Sequence, residues 1–389
     1  MKSRLGVLLF GIGVLFLAAA VGLAFFVAPA VTKLPYDLTA CEPGGNQPKN
    51  REGCLKASVA EAKDATFLQI KENSEIRRGD LRSTTEVVPN VRLTADKLPK
   101  NLQGEAVVWD VYGTVQWTNE ASTPVISQYS TELALDRVSA AAANWDGQWL
   151  QESDVPSKVT YEGQTYKFPF RTEKKDYKYF DRDLRRALPI RYKGTEKIKG
   201  VEAYRFEQVI PEEALNLGPD RISVLVNAFA KGATTGKVTY RNTRTVWVEP
   251  VSGNYVKVRE QQHKEFVPDV GPTTVLLDAD FVYTDDTITN SVKKAKETRT
   301  QLQLVGLYGP LGLGVLGIVA LVVGLLFVIR NGGGGTSPRH ASGKVDAAES
   351  GTGSASSDAT TLVDLPASPT EKTVPDQRRG AAGAEGPAK

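Results

Sequence analysis

The sequence predicts a mainly β, α+β fold: an antiparallel β-rich extracellular domain held between two terminal transmembrane helices. Three observations carry that expectation. Leu304 to Ile329 is a run of twenty-six residues without a charged side chain, closed by Arg330. At about 1.5 Å per residue it is long enough to cross the roughly 30 Å hydrocarbon core of a bilayer. Leu5 to Ala28 is a second uninterrupted apolar run. Between the two, segments rich in branched and aromatic residues alternate partly with polar ones, as half-buried strands require.

The chain of 389 residues has room for one large or two ordinary domains plus flanking segments. Its net charge of +3 gives no support to nucleic-acid binding, which needs a concentrated basic face. Cys41 and Cys54 are the two cysteines, and His263 and His340 the two histidines. That spacing suits neither a four-ligand zinc site nor a CxxC redox pair, so a single disulfide is expected and no metal or other cofactor. Closing a loop of about 14 residues would contribute roughly 3 kcal/mol on the chain-entropy estimate. Such a bond persists only outside the reducing cytosol.

Residues 1–4 carry Lys2 and Arg4, which place the N-terminus in the cytoplasm by the positive-inside rule. Residues 5–28 are expected to stay as the first span. Ala28-Pro29-Ala30 has the small residues of a signal-peptide cleavage site, but a signal's apolar region runs only about 7–15 residues. Residues 31–303 then lie outside the cell, 304–329 cross back, and 330–389 form a cytoplasmic tail. Lys293, Lys294, Lys296 and Arg299 crowd the outer side of the second span and oppose this orientation. The rule weakens across long translocated domains, and the cysteine pair agrees with the first helix. The plasma membrane, crossed twice with both termini inside, is therefore the expected location.

Within the outer region, Pro43, Gly44, Gly45 and Pro48 suggest an irregular stapled segment, with a short helix over Lys56 to Ala65. Strands are expected over Val107–Thr118, Val125–Leu135, Lys158–Phe170, Val201–Val209, Lys237–Glu249 and Tyr255–Phe266. The turn residues of Glu249-Pro250-Val251-Ser252-Gly253-Asn254 make the last two a hairpin. Helical periodicity is local, around Val138–Asn144 and Glu212–Leu217. Asp285, Asp286 and Thr287 can cap a helix running through Ser291–Gln303 toward the second span. Its four basic residues, Lys293, Lys294, Lys296 and Arg299, are candidate contacts to anionic lipid headgroups at about 1 kcal/mol each. A solvated helix face is the plain alternative. The tail is rich in Ala, Gly, Ser and Pro, has no aromatic residue, and is expected to be disordered.

The densest unusual cluster is Tyr161–Tyr192, where aromatics interleave with Lys and Arg. Glu173, Asp176, Asp181 and Asp183 lie among them and would repel a polyanion, which favours a partly buried aromatic band with paired charges. Phe168, Phe170, Tyr177 and Phe180 are its candidate ligand contacts. Asp278, Asp280, Asp285 and Asp286 lack the loop glycine and closing Glu of a calcium loop. No GxSxG, HExxH, P-loop or dinucleotide glycine pattern is present. Ala18 and Gly22, and Ala320 and Gly324, have the four-residue spacing that lets spans approach, within one chain or between copies.

Several motifs recur in order: Lys167-Phe168-Pro169-Phe170, then Tyr177 and Phe180-Asp181, then Lys199-Gly200-Val201-Glu202-Ala203-Tyr204-Arg205-Phe206. Thr245 to Gly253, TVWVEPVSG, and Tyr283-Thr284-Asp285-Asp286 follow. Together they resemble the actinobacterial membrane family catalogued as porin PorA-like, long listed as a domain of unknown function, over roughly residues 1–330. The resemblance implies a porin and brings no catalytic residues. A lipid-facing barrel needs an apolar outer band, and these strands are laden with charge. The architecture is also similar to that of class B scavenger receptors, and the hairpin to those of lipoprotein carriers. Both suggest an apolar cavity large enough for an acyl chain. The expected function is non-enzymatic: binding or passing an apolar or amphipathic envelope molecule, or serving as a surface interaction module, with the bilayer and a lipid or envelope ligand as partners. The alternatives are a porin-like channel component and a carboxylate-based envelope hydrolase.

Overall fold

The computed structural model describes residues 2–36, 57–70 and 74–332. Cys41, Cys54 and the chain beyond residue 332 lie outside these, and with them the expected disulfide and the expected disordered tail.

Helix α1 (Lys2–Gly22) passes through a π-helical turn at Leu23–Val27 into the short α2 (Ala28–Val31). The chain then enters the β domain, where Leu34 is buried and exchanges hydrogen bonds with Arg137, whose guanidinium lies 3.8 Å above the Tyr36 ring.

Twelve antiparallel strands form one sheet: β1 (Ser58–Ile70), β2 (Ser74–Pro89), β3 (Ala106–Trp117), β4 (Val125–Asp136), β5 (Trp149–Gln151), β6 (Ser157–Lys158), β7 (Tyr177–Asp181), β8 (Arg186–Ile198), β9 (Val201–Ala214), β10 (Gly236–Val248), β11 (Tyr255–Pro268) and β12 (Thr274–Tyr283). Their order is β6-β5-β4-β3-β2-β1-β12-β11-β10-β9-β8-β7. Two six-strand meanders are thus joined back to back by the pairing of β1 with β12. Short helices α3 (Val91–Asp96) and α4 (Pro219–Phe229) cover parts of the sheet, α4 burying Leu225 and Val226 against Val238 and Phe266.

Of the helix expected over Lys56 to Ala65, the described residues 57–65 form none. Their Ala, Lys and Glu content suits a helix locally, but β1 is hydrogen-bonded on both edges, to β2 and β12, and that tertiary pairing decides its conformation. Lys158–Phe170 is not a strand beyond β6; it leaves the sheet edge and crosses the interior. Val138–Asn144 is a turn with Ala140 at a φ of 54°, and Glu212–Ala214 ends β9.

After β12, Thr284 caps helix α5 (Asp285–Gln303), its side chain accepting from the Thr287 N–H. The cap is one residue earlier than expected, which leaves Asp285 and Asp286 in the first turn, where the helix dipole favours them. Val292 and Ala295 of α5 pack on Val201, Ala203, Trp247 and Val256. The helix continues through a π-helical turn at Leu304–Tyr308 into α6 (Gly309–Gly332), so one unbroken rod joins the sheet to the second apolar segment.

Arg4–Val31 and Asp285–Arg330 are each long and apolar enough to cross a membrane, and only 11% of the most apolar window of each is buried within the protein. Leu8, Leu15, Val315, Leu316 and Val322 all face outward. α1 and α6 run antiparallel. A Cβ on Gly13 would lie 2.8 Å from the Gly317 carbonyl oxygen, and one on Gly324 would lie 2.9 Å from that of Gly6. The contact therefore uses Gly6, Gly13, Gly317 and Gly324 at seven-residue spacing, the repeat that keeps one face toward a partner. Of the four residues picked out by four-residue spacing, Gly324 takes part in it, whereas Gly22 has open space around it and Ala18 is exposed. Gly13→Val is expected to cost about 1–3 kcal/mol, because the added methyls meet backbone that cannot rotate away. Gly11→Val, where nothing lies within 4 Å, is the control. Equal melting temperatures for the two full-length variants in detergent would contradict this contact.

Candidate functional site

The segment between β6 and β7, with the turn after β7, is what closes the interior. Tyr161 and Phe180 stack at 4.4 Å and pack with Val107, Trp109 and Leu133 of β3 and β4. The Tyr161 hydroxyl lies 2.7 Å from the Thr131 hydroxyl. Further on, Phe168 and Tyr179 pack with Phe206, Val246 and Val248 of β9 and β10. The same stretch therefore touches both halves of the curled sheet. Gly253, at a φ of 70°, lets the β10–β11 turn close on it: a Cβ there would collide with the carbonyls of Phe168 and Pro169.

Beside this segment lies a cavity of about 240 Å³. It is smaller than the roughly 300–1,000 Å³ typical of small-ligand pockets. One part of its wall is apolar, with Leu81, Val115, Ile126, Leu277 and Phe281, and another is charged, with Arg182, Asp183, Arg244, Glu260 and Lys264. The purely apolar cavity expected from architectural likeness is not what the sheet encloses. Inward positions of β10 and β11 carry Arg244, Glu260, Gln262 and Lys264, and the charged ones pair with each other or with Asp181 and Asp183 at the end of β7 and in the turn after it.

Arg244 organises that charge. Its Nε donates to Glu260 Oε1 at 2.7 Å, Nη1 to Gln208 Oε1 at 2.5 Å, and Nη2 to Asp181 Oδ2 at 3.2 Å. The Tyr240 hydroxyl also donates to Asp181 Oδ2, at 3.1 Å, and the Leu184 N–H to Oδ1 at 3.0 Å. Next door, Lys264 Nζ donates to Asp183 Oδ1 at 2.5 Å, and the Arg182 guanidinium lies 3.9 Å over the Tyr129 ring. Asp181, Arg182 and Asp183 are consecutive, so one short turn ties β10, β11 and β4 together. Burial pushes the Asp181 carboxyl up, against the pull of Arg244. For Glu260, burial is the largest single influence and raises it, but the charge and hydrogen bond of Arg244 bring it below its ordinary value. Asp183 also ends low: burial raises it, and Lys264 and Arg182 together outweigh that.

The structure separates the residues that the sequence grouped. Phe168 and Tyr177 meet edge to face at 5.1 Å. Phe168 is fully buried, and the Tyr177 hydroxyl accepts from the Glu173 N–H at 3.0 Å. Phe170 packs toward the β3–β4 cluster, 4.3 Å from Lys167 Nζ. Of the four, only Phe180 lines the cavity. Lys293, Lys294 and Lys296 are exposed on α5, whereas Arg299 is half-buried and faces a second pocket. The charged residues of the cavity wall were missed because charge in a strand normally marks the solvent face. A signal existed: counting back from the Glu249–Asn254 turn brings Arg244 opposite Glu260, once the bulge at Val248 is allowed for.

A protein-family model described as Porin PorA matches residues 5–326. The chain belongs to the Porin PorA family. It is 26% identical to the Porin PorA of Corynebacterium amycolatum over 402 aligned positions, covering 85% of this chain and 99% of that protein. It is 23% identical to the Porin PorA of Corynebacterium resistens over 412, covering 85% and 97%. The Porin PorA match takes in the whole sheet and most of both apolar helices.

Proposed function

We propose that this chain is a non-enzymatic envelope protein, anchored by its helical hairpin in the plasma membrane, whose curled sheet stands outside the cell and receives an amphipathic envelope molecule. The two-sided cavity is the observation that carries this reading. Its charged wall suits a polar headgroup, and its apolar wall suits the first part of a hydrocarbon chain. Antiparallel packing of α1 and α6 supports a two-span anchor whose residues 2 and 332 share one side of the bilayer, and Lys2 and Arg4 favour the cytoplasmic side. Soluble monomers rarely expose apolar surface as extensive as that of this hairpin, which supports lipid as its solvent. Among the described residues, the carboxylates lining the cavity, Asp183 and Glu260, are both held in ion pairs. That lends no support to a carboxylate hydrolase.

Native mass spectrometry of the full-length chain in mild detergent is expected to reveal a co-purifying amphipathic species, lost on narrowing the cavity with Ser83→Trp. A chain always free of such species overturns carriage. Protease added to intact cells is expected to cut the central domain and spare the tail; the reverse pattern overturns the orientation.

The relatives' name favours a second reading, a channel. The ion pairs Arg78–Asp64, Arg82–Glu61 and Arg259–Asp280 on the exposed strand faces oppose a lipid-facing barrel. A channel would have to be assembled from the helical hairpins of several copies. Discrete conductance steps from the purified chain in planar bilayers would favour that reading over carriage.

A further inference from the structure

Where the sheet meets the start of the second apolar segment there is a second pocket, of about 370 Å³. Arg171, Arg299, Glu202, Tyr204 and Glu249 are among its lining residues. We propose that it binds the phosphate of an anionic lipid headgroup between Arg171 and Arg299. This rests on the anchoring proposed above.

Four observations converge on that chemistry. Among the described residues neither guanidinium has an ion-pair or hydrogen-bond partner, although most arginines of the sheet do. Glu249 does not neutralise them: it is fully buried, and its two oxygens accept from the Val251 and Ser252 N–H groups. Arg171 is held out by a fixed loop. Its N–H donates to the Val251 carbonyl, that of Thr172 donates to the Pro250 carbonyl, and Arg171 itself sits at a φ of 56°. A non-glycine residue kept in that region costs free energy, and such strain collects at functional sites.

The fourth observation is depth. Arg171 Nη2 lies 3.9 Å from the position of a Cβ on Gly306, and the Ala28 Cβ lies at the same distance. The guanidinium thus sits where the outer ends of both apolar segments meet. Arg299 precedes Gly306 by seven residues, about 10 Å along the axis, and lines the same pocket as Arg171. Lys293 and Lys294 are higher still, about 15 Å above Leu304, beyond the headgroup layer of roughly 5–7 Å. A pocket at this level favours a phosphate carried by the bilayer. Two guanidinium forks match phosphate oxygens in pairs, which lysines cannot do. The Glu202 carboxylate, which also lines the pocket, would meet the glycerol or amine part of the headgroup.

The test uses the full-length chain in neutral detergent, titrated with short-chain phosphatidylglycerol, short-chain phosphatidylcholine and inorganic phosphate. Phosphatidylglycerol is expected to bind saturably, and Arg171→Gln with Arg299→Gln to weaken it by about tenfold or more at an unchanged ligand-free melting temperature. Each single variant should lose part of that, and a Lys293, Lys294, Lys296 to Gln triple variant should lose none. Inorganic phosphate binding as tightly as the lipid would make the anion a soluble one and overturn the headgroup assignment. Phosphatidylglycerol binding that is absent, or that survives the double substitution, overturns the pocket. Release of the chain from membranes by carbonate would overturn the anchoring instead, so the two failures can be told apart.

Discussion

Arg244→Met is expected to destabilise the β domain by about 3–5 kcal/mol, the cost of leaving buried charges without their partner. Asp181 is fully buried and Arg244 is itself 7% exposed, so water cannot take the place of the guanidinium. Gln208 and Glu260 lose a donor at the same moment. Adding Asp181→Asn and Glu260→Gln to Arg244→Met should recover much of the loss, since no net charge then remains. Acid should also narrow the gap between variant and wild type. In the wild type, Glu260 and Asp183 have folded values below their ordinary ones, so their stabilisation is present above about pH 4.5 and is lost as pH falls through those folded values. In the variant, protonating Asp181 and Glu260 relieves the unpaired charge. Urea melts at pH 7 and at about pH 3.5, below the ordinary carboxylate values, measure both effects. A variant within about 1 kcal/mol of wild type at pH 7 would show that the buried network does not hold the sheet closed.

Wild-type stability is expected to rise by on the order of 3 kcal/mol between pH 7 and pH 9.5, and Lys167→Met to abolish that rise. Burial lowers the Lys167 amine from 10.5 to about 7, against a smaller opposing effect of Glu249. Its Nζ donates to the Ser252 carbonyl and, at 3.4 Å, to that of Phe168. For a lysine with a depressed folded value, the cost of keeping the amine charged inside is complete below about pH 7. It is relieved as pH rises toward the unfolded value. The window stops at 9.5 because burial pushes the Tyr161 and Tyr283 hydroxyls up to about 12. Those groups make the folded state less stable once the unfolded chain's tyrosines ionise near pH 10. A flat pH profile in the wild type, measured by thermal or urea melts, would mean that the amine is not desolvated as the geometry implies.

Much of the architecture was legible in the residues. Strands β3, β4, β9, β10 and β11 lie within a few residues of their expected ends, because branched and aromatic alternation marks a half-buried strand wherever it pairs. The Glu249–Asn254 turn was readable for the same local reason. What escaped were positions whose neighbours come from elsewhere in the chain. β1 looks helical by composition and is a central strand by pairing. Lys158–Phe170 has strand-like residues yet serves as filling, because the curled sheet leaves a hollow and this segment has the aromatics to occupy it. Phe168, Phe170, Tyr177 and Phe180 are close in sequence but divide among separate packing clusters, and only Phe180 reaches the cavity.

The sequence by itself determined the two long apolar helices and the antiparallel β character between them, since length, hydropathy and alternation are properties of consecutive residues. Only the tertiary structure decided that β1 pairs with β12, that Gly6 and Gly13 meet Gly324 and Gly317, that Arg244 is sealed between Asp181 and Glu260, and that Arg171 comes to the level of Gly306. Each of these joins residues distant in the chain, and the free energy of such contacts depends on which surfaces the folded backbone brings within reach.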